Sequence, residues 1–446
     1  MNNFSQDGLR IPDLLKKRKT LRRVILLYAL SLAIVTGGIG FLLFKEPINR
    51  LRIVMRANHA TDLREHGKLA EAEREYRALL AFNERTFGPD DPSTLDGRNN
   101  LAAVVEDQKK HREAEQAYRI AVAEYQRVLG PEHPDTLTCR KSLANALLAQ
   151  NKNSEAEQEH RAVLAIRERV LGPDNPKTLS SRGYLARALL AQEKNAEAEP
   201  EFRILLARRE PILGPENPYI LGLRSDLART LAGQGKYADA EQENRAVVAI
   251  RERVFGPEHL ETLWSRNNLA TALDGQKKYA EAEQEHRVVL AIRERVCGPE
   301  HPDTLMSRDN WALVLSDLGR FAEAVPEHRA VLACRERVLG PEHPDTLQTR
   351  SNLGYALQGQ GKHAEAEQEH RAVPAIRERV LGLEHPNVFQ SCGLLAMALA
   401  SQEKLQEALA FIKRAEEGYH KSVGARHPYF LYAKAVREGI EAEIKK

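Results

Sequence analysis

Histidine and arginine recur in this chain in ordered series of the kind from which metal sites and anion ladders are built. His133, His259, His301, His343, His385 and His427 lie in predicted loops, and His160, His286, His328 and His370 on predicted helices. A metal site needs three or four ligands converging within about 2 Å of one ion. Members of each series are separated by multiples of 42 residues, and equivalent positions in stacked helical units lie on the order of 10 Å apart. The loop series is therefore read as helix-capping or turn residues, and no metal or cofactor is expected. Arginine recurs at Arg98, Arg140, Arg182, Arg224, Arg266, Arg308 and Arg350, and again at Arg161, Arg245, Arg287, Arg329 and Arg371, with Glu157 four residues before Arg161. Such columns suit either a cationic ladder for acidic peptides or an Arg–Glu lattice between helices. Uniform copying favours the lattice, because a site for one ligand has no reason to recur identically. Paired acids such as Glu155 and Glu157 recur on solvated helix starts. The Gly-Pro pairs cannot cradle phosphate, since proline removes the amide donor. With no catalytic constellation, an enzyme is not expected. Cys139, Cys297, Cys334 and Cys392 fall in different units, and Cys297 and Cys334 are out of phase for a bridge, which needs Cα atoms within about 7 Å.

The elements that position these residues follow from one period. Gly88, Gly130, Gly172, Gly214, Gly256, Gly298, Gly340, Gly382 and Gly424 stand 42 residues apart, mostly followed by GPEHPDTL or a near copy. Repeats of this length form solenoids whose units bury their apolar faces by stacking. In residues 130–171, Gly130 ends one helix and Pro131 blocks its continuation. His133 stands at the cap of the next helix, as Asp91, Asn175 and Asn217 do elsewhere, with proline at the first helical position. Helix A is predicted over about 134–149, with Leu143 and Leu147 inward. Helix B follows over about 154–171, with Ala156, Val163, Leu164 and Ile166 inward. The alanine at Ala156 has counterparts at Ala72, Ala114, Ala198, Ala240, Ala282, Ala324, Ala366 and Ala408, which marks the closest helix–helix approach. Pro374 predicts a kink in one helix B. His59 occupies a position that other units give to a buried leucine.

NNLA at 99–102 and 267–270, GKYADAE at 235–241 and AIRERV before the GPEHPDTL segment resemble the tetratricopeptide repeat of the 42-residue kinesin-light-chain and nephrocystin-like type. The resemblance implies an all-α, right-handed superhelical solenoid of nine helix-turn-helix units over 46–431, with a capping helix at 427–446. It further implies that helix A lines a concave groove for a partner peptide, contacted through Asn99, Asn100, Asn145, Arg187, Arg229, Asn267, Asn268, Asn310, Asn352 and Tyr355. Asn100, Asn268, Asn310 and Asn352 match the asparagines that bond a peptide backbone in this family, a task for which an amide offers both donor and acceptor. The groove positions vary from unit to unit while the frame does not. The coiled coil of a true kinesin light chain is absent.

Residues 1–45 carry eight Lys and Arg against two Asp, a net of +6, so a total of +3 leaves the remaining 401 residues near −3. A near-neutral body lacks the basic footprint of nucleic-acid binding. Residues 24–44 hold no charge and are long enough to span a bilayer, after the basic tail 1–23. They lead us to expect a single-pass membrane protein with a cytoplasmic N-terminus and the repeats on the periplasmic or extracellular side. The function expected is a membrane-anchored scaffold that binds a protein or peptide partner. The alternative is a structural protein that self-assembles into a homo-oligomer.

Overall fold

The computed structural model describes residues 49–446 apart from 151, 423 and 426. Its two compact units divide between Gln150 and Asn151. The first contains α1 (49–65), α2 (Leu69–Phe87), α3 (Pro92–Asp107), α4 (His111–Leu129) and α5 (Pro134–Leu148). The second contains α6 (Asn153–Leu171), α7 (Pro176–Ala191), α8 (Asn195–Leu213), α9 (Pro218–Gly233) and α10 (Tyr237–Phe255). It continues with α11 (Leu260–Gly275), α12 (Tyr279–Cys297), α13 (Pro302–Asp317), α14 (Phe321–Leu339) and α15 (Pro344–Gly359). It ends with α16 (His363–Arg371), α17 (Val373–Leu381), α18 (Pro386–Ala400), α19 (Leu405–Ser422) and α20 (Pro428–Ile444). The architecture is an all-helical repeat solenoid.

Local chemistry sets each boundary. The nine loop glycines hold φ between 83 and 93°, a left-handed conformation that ends helix B. Asp91, His133, Asn175, Asn217, His259, His301, His343, His385 and His427 cap the following helix A, each accepting from the amide two residues on. The loop histidines thus act through Nδ1 as the acceptor. Thr94, Thr136, Thr262 and Thr346 donate back to the glycine carbonyl six residues earlier, closing the loop.

The recurring helix-B alanines, from Ala72 to Ala408, have no exposed surface and seat the helices against each other. A second, polar layer stitches neighbouring repeats. Glu157 accepts from Arg161 on its own helix and from Gln192 and Lys194 of the next repeat. Glu199, Glu241 and Glu367 do the same with Arg203, Gln234 and Lys236, with Arg245, Gln276 and Lys278, and with Arg371, Gln402 and Lys404. These partners outweigh burial and hold all three carboxyls at about 2. The seventh repeat departs from this scheme. Val325 stands where the glutamate belongs, and Gln360 Oε1 of the eighth repeat is buried without a partner.

The break expected at Pro374 is present, and two other expectations are amended. Helix B of the eighth repeat is divided into α16 and α17 at Ala372, two residues before Pro374, whose ring cannot coexist with the preceding turn's bonding. His59 is exposed, and Ile53, Ala60 and Leu63 form the buried face of α1 instead. The membrane localisation is not upheld, because among the described residues no helix is long and apolar enough to cross a membrane. The 19-residue helices B are amphipathic, with acidic first turns and mostly basic last turns. Residues 24–44 lie outside the described residues.

Candidate functional site

In the second unit helices A of successive repeats (α9 with α11, α13 with α15, α15 with α18) approach one another more closely than helices B do. The helix-A face is accordingly the inner one there, and its residues touch across repeats. Asn310 Nδ2 donates to Asn267 Oδ1 at 3.0 Å, and Asn352 Nδ2 donates to Asp309 Oδ2 at 3.2 Å. Arg187 and Arg229, both exposed, share Asp226 at 2.9 and 3.3 Å. Tyr355 donates to Asp317 Oδ1 at 3.1 Å. Asn268 is half-buried on α11.

The ten predicted groove residues therefore divide. Asn267 and Asn352 are buried and spend their amides between helices, while Arg187, Arg229, Asn268, Asn310 and Tyr355 keep surface on the inner face. Asn99 and Asn100 on α3 and Asn145 on α5 are half-buried in the first unit, and Asn99 Oδ1 has no partner there.

The residues that sequence reasoning missed are charged. Arg167, Arg251, Arg293, Arg335 and Arg377 are buried on helices B at positions that are not among the predicted inward residues. Each donates to a carbonyl ten residues on and to a hydroxyl fourteen residues on: Arg251 reaches Glu261 O at 3.0 Å and Ser265 Oγ at 2.6 Å. Ser181, Ser307, Thr349 and Ser391 serve the other four. Burial lowers the guanidinium groups of Arg167, Arg251, Arg293 and Arg377, the last to about 10. The signal was available: Ser or Thr accompanies Arg at this spacing, whereas Tyr125 pairs with Cys139 and Asn83 with Gly97. Where Leu223 replaces the hydroxyl, Arg209 turns to Pro176 O instead.

A second missed group is acidic. Asp274 is pushed up to about 6 by burial and then by Asp317, which burial also raises. Trp264, partly exposed on α11, lies over the Arg293 guanidinium at 5.0 Å. Among the described residues no three His, Cys, Asp or Glu are grouped to hold a metal ion. The arrangement places amides, an ion-paired arginine pair and aromatic rings along one face.

Two solved structures share the fold. A quorum sensor, NprR from B. thuringiensis, superposes with a TM-score of 0.55 over 82% of this chain and 98% of its own, at 11% identity. Aspartyl phosphate phosphatase F from Bacillus subtilis gives 0.52 over 82% and 93%, at 12% identity. A Podosopora anserina protein of nearly identical kinesin-light-chain TPR-like repeats is 27% identical over 46% of this chain and 96% of its own, with a TM-score of 0.42. A search of curated proteins gives no match. The tetratricopeptide repeat pattern is matched at residues 51–123, 97–169, 219–295, 303–373 and 351–421, and a second form of it at 178–219. These matches span well over half of the sequence, and the chain belongs to the tetratricopeptide repeat family.

Proposed function

We propose that this protein is an interaction scaffold that takes an extended or helical segment of a partner protein along the inner face of its helices A. What supports the reading is a division of labour between repeats. Glycine loops, alanine contacts, Arg–Ser pairs and glutamate stitches are copied from unit to unit. The inner positions are not, running from Arg187 and Arg229 through Asn268 and Asn310 to Tyr355. A rigid frame that carries variable polar and aromatic side chains suits recognition by many modest contacts, with most energy in a few anchors. Proteins of this repeat family serve as protein-binding scaffolds, and the quorum-sensor and phosphatase folds cited above are built on the same helical pairs.

The test is to replace Asn268, Asn310 and Tyr355 together with alanine and to measure capture of crosslinked partners by the full chain. Asn352 is left in place because it bonds Asp309. Loss of specific capture with unchanged helical circular dichroism is the expected result. Unchanged capture would remove the inner face from consideration.

A further inference from the structure

The inner face of the second unit ends in a cleft of about 320 Å³, lined mainly by apolar and aromatic groups: Tyr355 on α15, Leu394 and Met397 on α18, and Tyr429 and Tyr432 on α20. Tyr429 and Tyr432 are half or more exposed, and the Tyr432 hydroxyl sits 3.2 Å from Met397 Sδ. Rings and a thioether around an open volume of this size accept a leucine, methionine or aromatic side chain.

Carboxylates stand beside two of the lining tyrosines, Tyr355 and Tyr429, while the buried Arg377 guanidinium lies toward a third, Tyr419. The Tyr355 ring lines the cleft while its hydroxyl bonds Asp317, and Asp274 lies close enough to Asp317 to be raised by it. On the other side, Tyr429, half of whose surface is exposed, is raised by the burial of its remaining half and then by the nearby Glu193 carboxylate. Carboxylates along this chain are extensively paired with Arg or Lys, yet among the described residues no cation pairs with Asp274, Asp317 or Glu193. All three are shifted upward by burial, the response of carboxyls that lack a positive neighbour. An apolar cleft rimmed by unbalanced half-buried carboxylates is complementary to a cation beside a large apolar group.

We infer that the cleft binds a partner segment in which a large apolar residue fills the space between Tyr355, Met397 and Tyr432, and a lysine or arginine a few residues away meets Asp274 and Asp317. Tyr355 spans both subsites, so the separation is short. At about 3.3 Å per extended residue it corresponds to roughly two to four positions. This inference rests on the reading of the helix-A face as a peptide-binding surface and specifies its chemistry at one end.

The test uses the full chain and three blocked, fluorescein-labelled dodecapeptides of Gly-Ser background. Each carries a Leu-Leu pair and, three residues away, Lys-Lys, Ser-Ser or Glu-Glu. Fluorescence anisotropy is expected to rank Lys-Lys at least tenfold tighter than Glu-Glu, and the ranking should weaken with salt. Asp274→Asn with Asp317→Asn preserves shape and the Tyr355 bond, and should erase the ranking without abolishing binding of the Ser-Ser peptide. Met397→Glu should weaken all three. Equal affinities, a ranking that survives the Asp274/Asp317 double variant, or no binding at millimolar peptide would overturn the inference. The Asn268→Ala, Asn310→Ala pair separates it from the broader reading. If that pair abolishes partner capture while the three peptides bind equally, the groove stands and the cleft specificity fails. A charge ranking insensitive to that pair leaves the cleft standing without the asparagine contacts.

Discussion

His328 Nδ1 lies 2.7 Å from Asp309 Oδ1, and the two side chains, both buried, tie α13 to α14 inside the seventh repeat, where Val325 has replaced the stitching glutamate. Asp309 also receives Arg335, Thr349 and Asn352, the last two from the eighth repeat. An inner polar network thus occupies the seam that lacks the outer one.

Asp309→Leu removes a shared buried acceptor: His328 and Asn352 lose their bonds to it, while Arg335 and Thr349 keep only Asp345 O and each other. Breaking a buried ionic network by removing one partner costs about 3–5 kcal/mol. We expect a lower urea midpoint, and hydrogen exchange should speed first in α13 to α15, because repeat arrays open locally. Unchanged exchange there would mean that the network contributes nothing to the seam.

Val325→Glu should act in the opposite direction. The new carboxylate would face Arg329, Gln360 and Lys362 in the geometry that Glu367 uses with Arg371, Gln402 and Lys404. Partly exposed ion pairs contribute about 0.2–1 kcal/mol, so a rise of a few degrees or less in the first thermal transition is expected. A fall would show that Val325 is held by its apolar contacts.

The His370 ring packs directly over Gly354. Other repeats place alanine at this helix-A position, but a Cβ on Gly354 would stand 2.5 Å from His370 Cε1. Gly354→Ala should cost about 1–3 kcal/mol by overpacking. Adding His370→Ala should restore part of that loss, a non-additivity that a double-mutant cycle reads directly.

Acid should loosen the repeats in two stages. Burial, aided by Arg293 and Arg377, pulls the His286 and His370 imidazoles from 6.5 down to about 4, so both are neutral in the fold. Their contribution is whole above pH 6.5 and is lost as pH falls from there through 4, on the order of 3 kcal/mol each. Glu199, Glu241 and Glu367, held at about 2, add a second decline from pH 4.5 downward. His286→Asn with His370→Asn, the residue that Asn244 already supplies in the fifth repeat, should flatten the first stage in pH-dependent urea melts and leave the second.

The period made most of the scaffold legible before any coordinates. Loop glycines, caps, helix limits and the alanine contacts depend on neighbours within one unit, where spacing is direct information. What escaped depends on partners in the adjoining unit. Arg167 to Arg377 look like outward cations within their own helices, and only Ser181 or its counterpart fourteen residues later explains their burial. The groove asparagines were legible by type but not by role. Whether Asn267 faces a ligand or a neighbour depends on Asn310, 43 residues away. The acidic rim was invisible for the same reason, since Asp274 and Asp317 stand at successive helix ends with no motif between them.

The direction of the stitches fixes the natural reading frame of the array. Arg251 with Ser265, Thr262 with Gly256, and Glu241 with Gln276 and Lys278 all fall inside residues 237–278. That 42-residue cassette runs from helix B into the next helix A and keeps every one of these bonds internal. A cut at the glycine loop would sever most of them. Duplication, loss or grafting of units in this protein is therefore least disruptive when the breakpoints fall in the short turn between helices A and B, out of phase with the helix-turn-helix by which the repeat is ordinarily drawn.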